Sequence, residues 1–190
     1  MGWEHMNGSH RVMVTGMGII SPLGLDVETT WNGIVKGHSG VDLITAFDTE
    51  GYDTHFAAEV KGFDPESYLD RKEARRMDRF AQFAAVAAQQ ACRQAGLETG
   101  TVDPYRVGVI IGSGIGGIST LSQQQEILIS RGPKRVSPFL IPMMLGDMAS
   151  AQVSMVTGSM GANYCTVSSC SSGADALGQA WAMIRRGQED

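Results

Sequence analysis

The chain has 190 residues, with 15 Lys and Arg against 20 Asp and Glu, which gives a formal net charge of −5. Hydrophobic residues make up 43% of the sequence and charged residues 18%, a balance that excludes a disordered chain and fits a globular domain or a piece of a larger one. An acidic chain is a poor general nucleic-acid binder, and no run of about 18 apolar residues predicts a membrane span. Residues 1–10 are polar and lack the apolar core of a signal peptide, so we expect an N-terminal extension, a cytoplasmic location, and neither nucleic acid nor membrane as a partner.

The elements that the sequence predicts alternate between strand and helix. In chain order they are a strand at 11–17, a helix at 27–36 behind the N-cap Asp26, a short strand at 56–60 within an irregular stretch at 38–70, a helix at 80–92 ending near Gly96, a strand at 106–111, a helix at 118–130, a helix at 145–156 ended by Gly158, a strand at 164–168 and a helix at 171–186.

Two of these helices carry almost no charge. Residues 80–92 have none, and before its last turn the helix at 171–186 has only Asp175. A helix without a charged face is usually covered on more than one side. Together with the alternation of strands and helices, this predicts an α/β architecture in which both helices lie between other layers.

Basic residues are concentrated in two segments. Residues 71–79 include Lys72, Arg75 and Arg76, and the proline-bounded loop at 132–138 includes Lys134 and Arg135. One interpretation is a solvated helix face. The other is a docking surface for an acidic partner, which the acidity of the remaining chain favours because the basic groups are then concentrated locally.

Cys170 lies where a strand meets a helix, among Ser168, Ser169, Ser171 and Ser172. Free N–H groups at a helix start stabilise a thiolate and also the oxyanion that forms when a thiolate attacks an acyl carbonyl. The sequence therefore favours an acyl-accepting nucleophile over a buried structural cysteine. The other two cysteines, Cys92 in an alanine-rich helix and Cys165 in a strand, are predicted to be structural.

No metal site or cofactor is expected. None of the four histidines has ligand spacing to another histidine or to a cysteine. Gly112, Gly114 and Gly117 match a dinucleotide-binding fingerprint, but the following helix leads into the basic loop and not into a second strand ending in an acid. The alternative is a glycine turn that lets the backbone pass close to an acyl site.

Five segments together resemble one known family. VMVTGMGIISPLG at 12–24, RKEARRMDRFAQFA at 71–84, GVIIGSGIGG at 108–117, GPKRVSPFLIP at 132–142 and SSCSSGADALG at 168–178 occur in this order and spacing in the β-ketoacyl-[acyl-carrier-protein] synthases of bacterial fatty-acid synthesis. The resemblance is greatest to synthase II and covers residues 11–190. It implies a thiolase-like α/β fold, of which this chain is the N-terminal half, in a five-layer αβαβα architecture.

The resemblance also implies roles for single residues. Cys170 falls on the family's catalytic nucleophile, Ile115 on the position that gates the acyl pocket, and Phe139 and Leu140 on a segment that reaches the partner subunit's pocket. The strand at 164–168 falls on the one that pairs across the axis of a homodimer. Acyl carrier protein, loaded with acyl or malonyl groups, would bind at Lys72, Arg75, Arg76, Lys134 and Arg135.

The sequence departs from the family at several positions. Ser168 and Ser169 stand where Thr-Ala is common, and Leu140 replaces a commoner aromatic residue. The family completes its site with two histidines and a lysine from its second half, and none of the four histidines here matches them. We therefore expect residues 11–190 to be an N-terminal domain truncated before the C-terminal half, inactive and poorly stable alone. A polyketide ketosynthase, a thiolase acting on coenzyme A and a non-catalytic dimer partner remain as alternatives.

Overall fold

Helices and short strands alternate along the chain, as the sequence predicts. The structure is a computed structural model that describes residues 11–97 and 101–190, so the expected extension at residues 1–10 lies outside the described residues. The elements are α1 Val27–Val35, β1 Asp42–Leu43, β2 Phe56–Ala57, α2 Arg71–Ala74, α3 Arg79–Ala95, β3 Val109–Gly112, α4 Ile118–Arg131, α5 Leu140–Met144, α6 Met148–Thr157, β4 Asn163–Thr166 and α7 Ser172–Arg185. Within these ranges, no helix is both long enough and apolar enough to cross a membrane.

The predicted helix ends are set by local capping. The Asp26 carboxylate accepts a hydrogen bond from the Thr29 amide at 2.7 Å and so begins α1. Gly96 and Gly158 adopt left-handed conformations, with φ of 66° and 73°, and end α3 and α6. The predicted start of the helix at residue 145 is wrong: Leu145 is extended and separates the short α5 from α6.

β3 and β4 form a parallel pair at the centre of the molecule. Val109 pairs with Asn163 and Gly112 with Thr166. Successive residues of β3 point to opposite faces: Ile111 packs against the hydrophobic core, whereas a Cβ on Gly112 would lie 2.2 Å from the Ser172 carbonyl oxygen at the start of α7. The predicted α/β architecture is confirmed, with α7 on one face of the strands and α6, backed by α3, on the other.

The core lies between α3, α6 and the segment that precedes α3. Its side chains are largely small, since Ala85 and Ala149 are fully buried and Ala81 is 2% exposed. Small side chains let the axes of α3 and α6 come close, and Phe63 and Met77 close the core at its edge. Helix α3 is thus covered as the sequence predicts.

The strand predicted at residues 11–17 is wrong. No described strand pairs with this segment, which lies instead on α3, where a Cβ on Gly18 would be 1.9 Å from the Ala87 carbonyl oxygen. Glutamine side chains replace a ladder, because Gln94 accepts from the Met17 amide at 2.6 Å and Gln90 from the Ile19 amide at 3.1 Å. A cleft of about 540 Å³, lined by Thr15 and by Val107 beside β3, separates the segment from the sheet.

Among the described residues, helix α7 has one covered face and one open face, so a second layer over it is not part of the described structure. Its buried residues, Ser172 and Ala176, face the strands. Leu177 is 73% exposed and Trp181 49% exposed, because no other described element packs against that side. The low charge of α7 therefore corresponds to one buried face and one exposed apolar face.

Candidate functional site

Cys170 lies in a single helical turn between the central sheet and α7. β4 ends at Thr166, residues Ser169–Ser171 form a 3-10 turn, and α7 begins at Ser172. The Cys170 side chain is exposed. The predicted strand-to-helix position is thereby confirmed, although the strand ends two residues earlier than expected. A nucleophile placed here is open to solvent and lies at the positive end of the α7 dipole.

The hydroxyl groups of Ser172, which is buried, and Thr166, which is half-buried, fix the backbone on both sides of Cys170. Ser169 has φ of 55°, the only positive value at a non-glycine residue among those described. Ser172 is 3% exposed; its Oγ donates to the Ser169 carbonyl at 2.8 Å and accepts from the Ser168 amide at 2.9 Å. Thr166 Oγ1 donates to the Ser172 carbonyl at 2.8 Å. These bonds hold Cys170 on a defined turn.

A carboxylate lies in the first turn of α7. Asp175 accepts a short hydrogen bond from the Ser168 hydroxyl. An acidic group in this position complements the unpaired N–H groups of the helix start. The contact also occupies the hydroxyl of Ser168, one of the two residues that differ from the Thr-Ala pair common in the family that this sequence resembles.

The glycine turn between β3 and α4 lies against the Cys170 turn. The Ser113 amide donates to the Thr166 carbonyl at 3.1 Å, and a Cβ on Gly114 would lie 3.5 Å from the Ser169 carbonyl oxygen. Gly112 lets β3 approach the start of α7 closely, since its Cβ position is 2.2 Å from the Ser172 carbonyl oxygen. Ile115, between Gly114 and Gly117, is 69% exposed.

Phe139 and Leu140 lie at the start of α5, next to the same turn. The Gly117 amide donates to the Met144 carbonyl at 2.9 Å and so joins the end of α5 to the glycine turn. Phe139 is 39% exposed. Ile115, Phe139 and Leu140 therefore lie on two segments that this hydrogen bond connects.

The two basic segments meet at one edge of this region. Lys72, Arg75, Arg76, Lys134 and Arg135, which we call the basic surface, are all exposed. The Arg76 guanidinium lies 4.9 Å from the centre of the Phe139 ring and links the segment before α3 to the one after α4. Arg75 is paired with Glu66 at 3.7 Å. The other four residues form no salt bridge within residues 11–97 and 101–190.

The other two cysteines lie away from the turn. Cys92, on α3, lines the cleft beside residues 11–16, and burial raises the pKa of its thiol. The Cys165 sulfur lies against the segment between α5 and α6, 3.7 Å from the position of a Cβ on Gly146. Within residues 11–97 and 101–190, no group of three or more His, Cys, Asp or Glu side chains is arranged to hold a metal ion.

One contact near the site escaped the sequence analysis. Asp78, only 7% exposed, accepts hydrogen bonds from the amide and hydroxyl of Thr120, at 3.0 and 2.5 Å. In the sequence Asp78 is one acid in a basic cluster next to a helix start. Its partner, Thr120, is 42 residues further along the chain, so no local sequence pattern predicts the contact.

Comparison with known proteins gives one consistent family. The family model for the N-terminal domain of β-ketoacyl synthases matches residues 9–190. A 3-oxoacyl-[acyl-carrier-protein] synthase 2 from Staphylococcus aureus strain COL is 48% identical over 185 residues, which are 97% of this chain and 45% of that protein. The protein of the same name from a Synechocystis species is 45% identical, over 93% of this chain and 42% of its own length.

A solved structure agrees in fold. A β-ketoacyl synthase from Burkholderia phymatum STM815 superposes with a TM-score of 0.81 at 26% identity, covering 94% of this chain and 44% of that one. The chain spans less than half the length of these relatives. The predicted thiolase-like fold, of which this chain forms the N-terminal half, is confirmed. With five motifs in order, a cysteine on a fixed turn before α7 and a family model that matches nearly every residue, the chain belongs to the β-ketoacyl synthases.

Proposed function

We propose that this chain supplies the nucleophile-bearing half of a 3-oxoacyl-[acyl-carrier-protein] synthase of type 2, an acyltransferase of fatty-acid biosynthesis. Residues 11–190 would be its N-terminal domain and residues 1–10 an extension. The observation that carries the proposal is the exposed Cys170 on a turn held by the buried Ser172 hydroxyl at the start of α7. The relatives at 45–48% identity support the reaction type.

In the first step the Cys170 thiolate attacks the carbonyl carbon of an acyl thioester on the carrier protein. The new C–S bond joins the acyl group to Cys170, the old C–S bond breaks, and the carrier leaves as a thiol after taking up a proton. Free N–H groups at the helix start stabilise the oxyanion that forms between these events. Cys170 is exposed, so an acyl thioester can reach its sulfur from solvent.

In the second step malonyl-carrier protein loses carbon dioxide. The electron pair left on its methylene carbon attacks the Cys170 thioester, so a C–C bond forms and Cys170 leaves as a thiolate. The product is a 3-oxoacyl chain two carbons longer. The proposed reaction needs no redox cofactor, because decarboxylation and C–C bond formation transfer no electrons to an external acceptor.

Ile115, Phe139 and Leu140 would line the acyl pocket. All three are apolar, and they lie on the glycine turn and the start of α5, two segments joined by the Gly117–Met144 bond. Ile115 is exposed next to the Cys170 turn. An acyl chain attached to Cys170 would gain free energy by burying its apolar surface against this side chain.

The basic surface would receive the acyl carrier protein. Lys72, Arg76, Lys134 and Arg135 form no salt bridge within the described parts of the chain, so an acidic partner need not displace an existing one. Complementary charge chiefly accelerates encounter and fixes orientation.

A homodimer would pair β4 with its symmetry-related copy. In the described residues β4 has a ladder on one edge only, formed with β3. An unpaired edge is a ready template for strand addition. A soluble cytoplasmic enzyme fits the proposal.

These 190 residues would accept an acyl group without completing the condensation. The two described histidines, His38 and His55, lie between α1 and β2, where the His38 amide donates to the Gly33 carbonyl and the His55 ring forms a hydrogen bond with the Thr49 hydroxyl. Neither is in an element that builds the Cys170 turn, so no described histidine is placed to assist decarboxylation.

Acyl transfer to the chain tests the proposal. The chain is incubated with hexanoyl-acyl carrier protein, digested, and mapped for a thioester by mass spectrometry. We expect the acyl group on Cys170 and on neither Cys92 nor Cys165, with Cys170→Ser as the matched control. In the same chain, malonyl-acyl carrier protein is expected to release no carbon dioxide above background.

The pH dependence separates the cysteines. Because burial raises the pKa of Cys92, its thiolate is scarce near neutral pH, and its reaction with iodoacetamide should grow as pH rises above about 8.5. Exposed Cys170 should react first. Preferential reaction at Cys92, or no acyl transfer to Cys170 in a folded chain, would contradict the assignment of Cys170.

A polyketide ketosynthase and a non-catalytic partner are the competing functions. Retention of an exposed cysteine on a fixed turn disfavours the non-catalytic role, since such a subunit needs no nucleophile. Transfer of a polyketide-type starter with no transfer of a straight acyl chain would favour the polyketide enzyme.

A further inference from the structure

The buried contact between Asp78 and Thr120 lies between the basic surface and the glycine turn. Asp78 immediately precedes α3, yet its carboxylate forms no cap hydrogen bond with α3. Its Oδ2 atom instead accepts from the Thr120 amide and hydroxyl in the first turn of α4. Asp78 therefore caps a helix that begins 40 residues further along the chain.

This distant cap replaces a local one. Gly117 occupies the N-cap position of α4 and has no side chain with which to accept an amide. Without Asp78, the Thr120 amide would be buried with no acceptor, since Thr120 is 6% exposed. A charged acceptor at a helix start also gains from the dipole.

The cap fixes one end of the glycine turn. A Cβ on Gly117 would lie 3.0 Å from Asp78 Oδ2 and 2.3 Å from the Met143 carbonyl oxygen, so the turn, α5 and Asp78 meet there. The other end is fixed by the contacts of Gly112 and Gly114 with Ser172 and Ser169. Ile115 lies between the two fixed ends.

We infer that Asp78 is a positioning residue that, through Thr120 and the glycine turn, holds Ile115 beside Cys170 and so limits which acyl chains reach the sulfur. This inference rests on the proposed function of Cys170. Asp78 touches neither the cysteine nor the acyl chain. Asp78 instead affects the position of the exposed Ile115 side chain. Ile115 follows Gly114, and Gly114 contacts the Cys170 turn.

Two thiol reagents of different length test it on the 190-residue chain. N-ethylmaleimide and N-octylmaleimide carry the same reactive group, and peptide mapping gives the rate of each at Cys170. The octyl-to-ethyl ratio of these rates measures how easily a chain passes Ile115. The Cys92 and Cys165 rates, measured in the same digests, report general loosening.

Thr120→Val removes the hydroxyl donor and keeps the shape of the side chain. We expect the octyl-to-ethyl ratio at Cys170 to rise about threefold, the ethyl rate to stay within about twofold, and Thr120→Ser to restore the original ratio. Thr157→Val is the matched control: it removes a hydroxyl that donates at 2.8 Å to Val153 within α6, and it should leave the ratio unchanged.

An unchanged or lowered ratio in folded Thr120→Val overturns the positioning role while leaving Cys170 as the nucleophile. If Thr120→Val does not fold, Asp78→Asn decides: it keeps an acceptor oxygen and loses the charge, and the ratio should again rise. A parallel rise at Cys92 and Cys165 would mean general loosening and also overturns the inference. No reaction at Cys170 in the unsubstituted chain would overturn the proposed function first.

Discussion

Helices α3 and α7 have the same signature in the sequence and different surroundings in the structure. Both are nearly free of charge. Helix α3 packs against α6 and against residues 11–18, and Ala85 and Val86 are 1% exposed or less. Helix α7 buries one side on β3 and β4 and leaves Leu177 and Trp181 open. The absence of charge therefore indicates an apolar helix surface. It does not indicate which other part of the molecule covers that surface.

The two helices also use glycine differently. Next to α3, Gly16 and Gly18 let a backbone lie directly on the helix, with Cβ positions about 2 Å from carbonyl oxygens. Within α7, a Cβ on Gly178 would meet nothing within 4 Å. Substituting alanine at Gly18 and at Gly178 therefore distinguishes a packed surface from an open one by its effect on stability.

Gly18→Ala should have the largest effect. Its Cβ would lie 1.9 Å from the Ala87 carbonyl oxygen, so the segment at 11–18 must move off α3, and we expect the free energy of unfolding to fall by about 3 kcal/mol. Gly178→Ala is the matched control and should raise it by about 0.5–1 kcal/mol through helix propensity. Urea unfolding measures both. Equal losses would mean that both helices are packed alike.

Ser172→Ala should have an intermediate effect, at the one place where α7 is as tightly held as α3. The substitution removes the hydroxyl that bonds to Ser168 and Ser169, and we expect the rate of iodoacetamide reaction at Cys170 to fall about tenfold. Ser171→Ala, whose side chain forms no cap bond, is the control. An unchanged rate in Ser172→Ala would show that the turn holds without this hydroxyl.

Leu177→Gln should have the smallest effect on stability. Because Leu177 is 73% exposed, we expect a change below about 0.5 kcal/mol in urea unfolding, together with less self-association in sedimentation velocity. A loss above about 1.5 kcal/mol would show that another surface, such as a second copy of the chain, covers α7 in solution.

The parts predicted correctly from the sequence are those with local causes. Asp26, Gly96 and Gly158 set helix ends by bonds and dihedral angles within a few residues. The position of Cys170 follows from a strand next to a helix. Motif order predicted the family, which the family model over residues 9–190 confirms.

The parts that escaped prediction depend on distant partners. A strand needs a ladder, and residues 11–17 have strand-like composition with none among the described residues. The coverage of α7 depends on what lies beyond it. The Asp78–Thr120 bond joins residues 42 positions apart, which neither periodicity nor a short motif reports.

The glutamine contacts on α3 have a consequence for the order of events during synthesis. Gln90 and Gln94 hold amides that lie 71 and 77 positions earlier in the chain. At translation rates of about 5–20 residues per second, residues 11–18 leave the ribosome roughly 4–15 s before α3 can receive them. Ile20, which packs against the hydrophobic core in the folded chain, has no such cover during that interval, so this apolar segment is open to chaperones before α3 exists.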